Sequence, residues 1–357
     1  MLKIAFQSNQ LSMTGTEIAL YDYARYNEEV LGNKSFVVFD SNNKNNQPYA
    51  IEKFKKRFDV IGYENISKLD TILEKTNSQL LYAIKSGRKD NVLSIKVPTM
   101  VHAVFPTSPG QIHGASYAYI SEWLSRNCSG GVIPCVPHIV DLPNVSDDLR
   151  RSLNIPTNAL VIGSYGGKQS FDIPYAISAV EKIIGINQDI YFLFMNFDKF
   201  IDHPRAIFLA GTTDMELKVK FINTCDAMLH ARMQGESFGL ACGEFSIRNK
   251  PVITCSHGKH THHIEMLGSK GFYYHDEESL IRILQQLRII LKDNVNWDCY
   301  SKTCNPKIVM QAFDEILIQP ALRNKSRSKP DISIGWRESL NYLKFKWKMH
   351  NHHRNNG

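Results

Sequence analysis

Residues 225–254 read CDAMLHARMQGESFGLACGEFSIRNKPVIT and carry the most specific pattern of the chain. The apolar run at 227–230 predicts a strand, and the segment from Gly235 to Gly239 predicts a turn that opens a helix. Glu236 and Glu244 are eight positions apart, so both lie near one helix face if the helix begins between them. The stretch therefore predicts a strand, a glycine turn and a helix with two carboxylates.

The chemistry of this turn points to an anion. Backbone N–H groups at a helix start lack intrahelical partners, and the helix dipole favours negative charge there, such as a diphosphate. A carboxylate before the helix can bind sugar hydroxyls, and one in its second turn can reach ribose hydroxyls. The alternative is that Glu236 only caps the helix and Glu244 is a surface charge, and spacing alone does not choose between them.

Outward from this stretch, short apolar runs alternate with helical patterns along the whole chain. Because strand and helix follow each other repeatedly, the order predicts parallel sheets that are covered on both faces. Strands are predicted at 3–8, 35–40, 59–63, 79–84, 97–105, 159–165, 189–196, 206–211, 226–231 and 251–256, with helices near 16–31, 48–56, 65–76, 172–185, 213–223, 238–247 and 277–292 and a further strand and helix from Gly114.

The alternation starts afresh after a proline-rich stretch at 132–143, which reads as an extended connection. We therefore predict an α/β chain of two Rossmann-like domains, 1–148 and 149–320, that face one another across a cleft. A basic linker and amphipathic tail follow at 321–357.

The ordered stretch at 225–254 resembles the Glu-x7-Glu region of retaining GT-B glycosyltransferases, specifically glycosyltransferase family 4, and the resemblance extends over roughly residues 1–315. It implies a GT-B fold and transfer of a hexose from a nucleotide diphosphate sugar to an acceptor hydroxyl with retention. It also implies that residues 1–148 form the acceptor-side domain and residues 149–320 the nucleotide-sugar domain. It assigns the donor sugar to Glu236 and the nucleotide ribose to Glu244. It also implies that the backbone of Phe238, Gly239 and Leu240 holds the distal phosphate.

A second phosphate-binding element is expected in the loop Gly166-Gly167-Lys168, because glycines allow close approach of the backbone and lysine supplies charge. Lys168 is either a diphosphate ligand or a solvated loop residue. Similar enzymes often carry an arginine where Ser164 stands, and Arg232 is a candidate for the missing cation.

Two candidates lie in the first half of the chain. Gly15 and Thr16 follow the first strand and match the glycine loop that closes over the donor in similar enzymes; a plain tight turn is the alternative. His102 ends a strand where such enzymes keep a histidine near the reacting sugar carbon, although a satisfied polar group is also possible. Glu122 is a weaker candidate.

No metal or cofactor is expected. The histidines at 257, 260, 262 and 263 form a cluster, but a structural zinc site would bring cysteines or regular spacing, so a loop on the acceptor or nucleotide side is the better interpretation. Seven cysteines without framework spacing read as reduced thiols, and no 18-residue apolar run is present, so a cytoplasmic location is expected.

The net charge of +7 resides in the tail. Residues 321–357 hold nine Lys/Arg and two Asp/Glu, whereas residues 1–320 hold 33 of each, so a nucleic-acid-binding body is disfavoured. An apolar stripe with three lysines at 334–348 predicts either a packed helix or peripheral contact with an anionic membrane. The acceptor expected for such a transferase is a glycan, a lipid-linked sugar or a protein.

Two other functions stay open besides the transferase. One is a catalytically silent GT-B-like protein that binds a sugar or nucleotide, and the other is a sugar-nucleotide epimerase of the same fold. The departure at Ser164 favours the silent protein slightly, while the intact pair Glu236 and Glu244 opposes both alternatives.

Overall fold

The computed structural model describes residues 1–293, 295–324 and 329–330. Most of the basic tail, including the predicted helix at 334–348, lies outside the described residues. The chain forms two compact units, one of Met1–Ile139 together with the chain from Pro306, and one of Val140–Asn305. Each is an α/β unit built on one parallel six-stranded sheet, which confirms the predicted fold class.

The first unit has the strand order β3-β2-β1-β4-β5-β6, and every neighbouring pair is parallel. Its strands are β1 (Lys3–Ser8), β2 (Lys34–Asp40), β3 (Asp59–Tyr63), β4 (Leu80–Lys85), β5 (Thr99–Ala103) and β6 (Ser116–Tyr119). Its helices are α1 (Gly15–Glu29), α2 (Pro48–Lys55), α3 (Leu69–Lys75), α4 (Glu122–Ser129), α11 (Pro306–Phe313) and α12 (Gln319–Arg323), with a π-helical turn at Asp314–Ile318.

The second unit repeats the same topology in the order β14-β12-β10-β7-β8-β9, again all parallel. Its strands are β7 (Leu160–Tyr165), β8 (Ile190–Met195), β9 (Ala206–Leu209), β10 (Ala227–His230), β12 (Val252–Cys255) and β14 (Phe272–Tyr274), and β11 (Gly235–Glu236) pairs with β13 (His260–Thr261) outside the sheet. Its helices are α5 (Pro174–Ile186), α6 (Met215–Thr224), α7 (Leu240–Ile247), α8 (His262–Leu267), α9 (Glu277–Ile290) and α10 (Ser301–Cys304).

Most strands of the two sheets are largely buried, as expected of parallel sheets that helices cover on both faces. In β4, for example, all six residues are buried. Counted in each unit by order along the chain, both sheets have the arrangement 3-2-1-4-5-6 of Rossmann folds. This order creates a switch point beside the first strand, where the chain turns from building one half of the sheet to the other.

The compact units differ from the ranges predicted from the sequence. The first unit ends at Ile139 rather than 148, and the chain from Pro306 returns to it instead of completing the second unit at 320. The physical reason is aromatic packing in the first unit, where the ring of Phe313 lies 5.3 Å from Tyr23 and 5.2 Å from Tyr82. Such a long-range contact has no local sequence signal.

The short elements β11, β13, β14 and α8 were not predicted, because elements of two to six residues have no resolvable periodicity. The stretch at 132–143 forms no regular strand or helix, as expected of an extended connection. No helix within the described residues is long and apolar enough to span a membrane.

Candidate active site

The switch point of the second unit lies between β7 and β10, which are neighbours in the sheet. Ligands of open α/β sheets bind at the carboxyl ends of strands at such a point. Two predicted segments leave the sheet there: the glycine loop Gly166–Lys168 follows β7, and the turn from Arg232 to Gly239 follows β10. The topology therefore brings the two predicted phosphate-binding segments to one edge.

Glu236 is the most strongly engaged carboxylate at this edge. Its Oε1 atom accepts from Arg232 at 3.0 Å and contacts His230 Nε2 at 3.3 Å, while Arg232 also reaches Oε2 at 3.1 Å. Burial opposes ionisation, but the hydrogen bond and charge of His230 and then of Arg232 outweigh it and lower the pKa of Glu236 to about 2. Glu236 is therefore an ionised acceptor at neutral pH, with about a fifth of its side chain exposed.

Two glycines set the geometry around Glu236. Gly235 has φ +68°, and a Cβ there would lie 2.1 Å from the backbone oxygen of His260. Gly239 has φ +90°, and a Cβ there would lie 2.8 Å from His263 Cβ. Both positions require glycine for backbone conformation and for close approach. The turn can approach β13 and α8 this closely only because Gly235 and Gly239 have no side chains.

The helix α7 begins at Leu240, with Gly239 as its N-cap and no side-chain cap. Glu236 therefore lies in β11, before the helix, and its carboxylate contacts Arg232 and His230 instead of capping. The backbone N–H groups of the first turn have no side-chain cap, and their binding of an anion stays a prediction. Phe238 is buried against His262 and Tyr300 and anchors this turn, whereas Leu240 is half-buried.

A buried polar chain continues behind Glu236. His230 Nδ1 lies 2.8 Å from the hydroxyl of Thr254 in β12, and the same hydroxyl lies 3.0 Å from His263 Nε2 in α8. The two imidazole rings are 4.8 Å apart. Burial lowers the pKa of His263 to about 3, so this histidine is neutral. Sequence reasoning missed this chain; the one available signal was a histidine at the end of a strand.

Glu244 lies in the second turn of α7 and is buried, so the surface-charge interpretation of this residue is wrong. Its Oε1 accepts from Lys218 Nζ in α6 at 2.7 Å, and Lys218 lies 4.9 Å from the centre of the Tyr165 ring. The two motif carboxylates therefore have separate partners, Glu236 with His230 and Arg232, and Glu244 with Lys218. Lys218 was not predicted.

The predicted cations differ in their surroundings. Lys168 is exposed in the loop after β7, where Asn196 holds the loop by donating to the Gly166 carbonyl at 2.7 Å. Gly167 is exposed and Gly166 is half-buried. Arg232 is the candidate for the missing cation, and in the structure its guanidinium contacts the Glu236 carboxylate.

In the first unit, Gly15 and Thr16 form the start of α1, exposed and half-buried respectively. The next residue, Glu17, is buried and accepts from the hydroxyls of Ser8, Ser12 and Thr14. Burial raises the pKa of Glu17 despite these bonds. The carboxyl group therefore ties the loop after β1 to the helix start, a structural feature that the sequence did not predict.

The structure does not support the predicted position of His102 near the reacting sugar carbon. The side chain is fully buried inside the first unit, with Nδ1 2.8 Å from the Tyr82 hydroxyl and Nε2 2.9 Å from the Val136 carbonyl oxygen. Burial lowers its pKa to about 4. Both ring nitrogens are satisfied, which is the geometry of the alternative interpretation, a buried structural histidine.

The remaining candidates are dispersed. Of the clustered histidines, His262 and His263 are buried in α8 and His260 belongs to β13. Within the described ranges, no three His, Cys, Asp or Glu side chains come together as metal ligands. All seven cysteines are free thiols, and Glu122 is an exposed residue beside Arg126 at 3.4 Å.

The depressed pKa of Glu236 predicts a pH dependence of stability. A carboxylate whose pKa is lower in the folded state stabilises the fold above its ordinary pKa of 4.5, and this contribution is lost as the pH falls toward about 2. We expect the difference in free energy of unfolding between wild type and Glu236→Gln to shrink between about pH 6 and about pH 3. Urea titrations at several pH values measure it, and a constant difference would contradict the ion-pair geometry.

No protein-family model and no curated protein matches the chain in sequence. In structure it is similar to Anabaena HepE in complex with UDP-glucose, with a TM-score of 0.64 and 14% identity over 90% of this chain and 98% of that one. A glycosyltransferase from Rickettsia africae has a TM-score of 0.61 and 12% identity over 100% and 99%. A putative UDP-N-acetylglucosamine 2-epimerase from Listeria monocytogenes has a TM-score of 0.55 and 12% identity over 93% and 99%. The chain thus has the fold of the GT-B glycosyltransferases.

Proposed function

We propose that the protein is a glycosyltransferase that moves a hexose from a nucleotide diphosphate sugar to an acceptor hydroxyl with retention of configuration. The observation that carries this proposal is the position of the Glu236 carboxylate, held by Arg232 and His230 directly before the N-terminus of α7. An acceptor for sugar hydroxyls thus stands beside donors for a phosphate, at the switch point of the second unit. HepE, of similar fold, was crystallised with UDP-glucose.

In the proposed reaction, the bond between the anomeric carbon and the diphosphate oxygen breaks and negative charge develops on the diphosphate. The N-terminus of α7 and Lys168 then stabilise the leaving group. The acceptor oxygen bonds to the same face of the anomeric carbon and gives its proton to the departing phosphate. Arg232 contacts both Glu236 oxygens, which supports hydrogen bonding to the sugar as the role of Glu236, rather than covalent attack.

In this proposal, Glu244 binds the ribose hydroxyls, and its pairing with Lys218 supports an ionised carboxylate in that role. The reaction needs no metal or cofactor in this scheme. A role in glycan or glycoconjugate synthesis and a cytoplasmic location, for which the free cysteines are the support, belong to the same proposal. Acceptors of three classes fit it: a glycan, a lipid-linked sugar or a protein.

The test is binding and turnover with a panel of UDP- and GDP-sugars. We expect one nucleoside diphosphate to bind in calorimetry, and slow hydrolysis of the matching donor to release free sugar whose anomeric configuration, read by NMR, is that of the donor. Glu244→Gln is expected to weaken nucleotide binding about tenfold, by loss of charge-assisted hydrogen bonds. Glu265→Gln, a half-exposed glutamate of α8, is the matched control.

The outcomes separate the alternatives. Binding without turnover of any donor would favour a silent binding protein. Interconversion of the sugar at C2 without release of the diphosphate would favour an epimerase, the activity attached to the similar Listeria protein. Hydrolysis that inverts the anomeric configuration of the sugar would contradict the retaining mechanism but not the use of a nucleotide-sugar donor.

A further inference from the structure

Behind Glu236, the hydroxyl of Thr254 connects two histidine side chains, and the distances constrain which atoms carry protons. The Thr254 hydroxyl lies within hydrogen-bond distance of two imidazole nitrogens, His230 Nδ1 at 2.8 Å and His263 Nε2 at 3.0 Å. A hydroxyl carries one proton, so it can donate to only one of these nitrogens, and a hydrogen bond with the other requires that nitrogen to carry a proton. The protonation of the two histidines is thereby linked through a single O–H bond.

The hydrogen bond between His230 and Glu236 has a fixed donor and a fixed acceptor. Glu236 is ionised and can only accept, so His230 Nε2, 3.3 Å from its Oε1, must carry a proton. When His230 is neutral, its Nδ1 is therefore bare and accepts from Thr254. Thr254 in turn accepts from a proton on His263 Nε2. With His230 neutral, each member is thus assigned one role by its neighbour.

We propose that Thr254 and His263 are positioning residues, which act through His230 to hold a proton on Nε2 and to aim that N–H at the Glu236 carboxylate. The inference rests on the proposed function of Glu236 as the acceptor for the donor sugar. None of the three touches the sugar in this scheme. Through His230, Thr254 and His263 set the direction of the Glu236 carboxylate.

Burial explains why such an arrangement is needed. Thr254 and His263 have no exposed surface, and His230 has about 6%. A buried ring nitrogen without its partner is costly, so without the hydroxyl the His230 ring turns toward other partners and its hold on Glu236 weakens. Arg232 alone then orients the carboxylate, from a side chain that is more than a third exposed.

The experiment compares Thr254→Val with Thr254→Ser in the full chain. Valine keeps the shape and the β-branch of threonine and removes the hydroxyl, whereas serine keeps the hydroxyl. We expect Thr254→Val to lower donor turnover about tenfold with a change in KM below about twofold, and Thr254→Ser to recover most of the rate. Thr224→Val is the matched control, since Thr224 is a fully buried threonine whose hydroxyl bonds Lys220 and Leu149 backbone atoms.

A second readout does not need turnover. Long-range 1H–15N spectra of histidine-labelled protein distinguish the two tautomers of His230, with assignment from His230→Gln. The Nε2–H tautomer is expected to dominate in wild type and in Thr254→Ser, and to lose population in Thr254→Val. Thermal melts of all variants set the temperature at which turnover is compared.

Equal turnover in Thr254→Val and wild type would overturn the inference, as would an equally slow Thr254→Ser. An unchanged His230 spectrum in Thr254→Val would also overturn it. A wild-type protein without turnover of any donor would instead defeat the proposed function, and the spectra would then still decide the hydrogen-bond arrangement.

Discussion

Glu236→Gln is expected to lower donor turnover at least tenfold. The carboxylate is ionised and held by Arg232 and His230 with both oxygens engaged, and the amide removes the charge while keeping the shape. Charge-assisted hydrogen bonds contribute about 1.5–3 kcal/mol, and each 1.4 kcal/mol lost from the transition state is about tenfold in rate. Turnover of the purified variant with saturating donor measures the effect.

This variant also loses an ion pair, so its stability has to be measured beside its rate. We expect its free energy of unfolding to fall by about 1–2 kcal/mol at neutral pH. Glu277→Gln is the control because Glu277 pairs with Lys182 at 2.6 Å and has a similar exposed fraction, 28% against 22%. It should keep wild-type turnover. Wild-type turnover in Glu236→Gln would remove Glu236 from the proposed mechanism.

Lys218→Met is expected to destabilise the second unit strongly. Both members of its pair with Glu244 are buried, with side chains 9% and 5% exposed. Removing the cation leaves a carboxylate in a site that excludes water, and breaking one partner of a buried pair costs about 3–5 kcal/mol. The free energy of unfolding from urea titration measures it.

The double variant Lys218→Met/Glu244→Gln completes the test. Because it buries no charge, we expect it to recover more than half of the loss, and a coupling energy above about 2 kcal/mol in the cycle. Lys199→Met is the control, since its pair with Asp202 is exposed and is expected to contribute little to stability. Additive losses in the cycle would show that the two side chains do not depend on each other.

Local pattern was enough for most regular elements. The predicted strands 3–8 and 59–63 agree with β1 and β3 at both ends, and the helix predicted at 277–292 is α9, Glu277–Ile290. Strands that are buried on both faces need an unbroken apolar run, and the longer helices need a periodic one, so both leave a signal within one segment of sequence. The turn and helix that carry Glu236 and Glu244 were predictable for the same reason.

The partners of those two carboxylates were not predictable. Lys218 reaches Glu244 across 26 positions, and Thr254 joins His230 to His263 across strands and a helix that meet only in the folded unit. His102 shows the converse, because the Tyr82 hydroxyl and the Val136 carbonyl satisfy a histidine that its strand position made a site candidate.

The sequence by itself therefore determined the order of strands and helices, the α/β class and the position of the glycine turn, since these depend on periodicity and backbone freedom within a few residues. Only the tertiary structure decided that Glu244 is buried, that Glu236 is ionised and that His230 faces the Glu236 carboxylate. It also decided that the chain from Pro306 returns to the first unit. These outcomes depend on desolvation and on contacts between distant segments, which exist only when the sheets have formed.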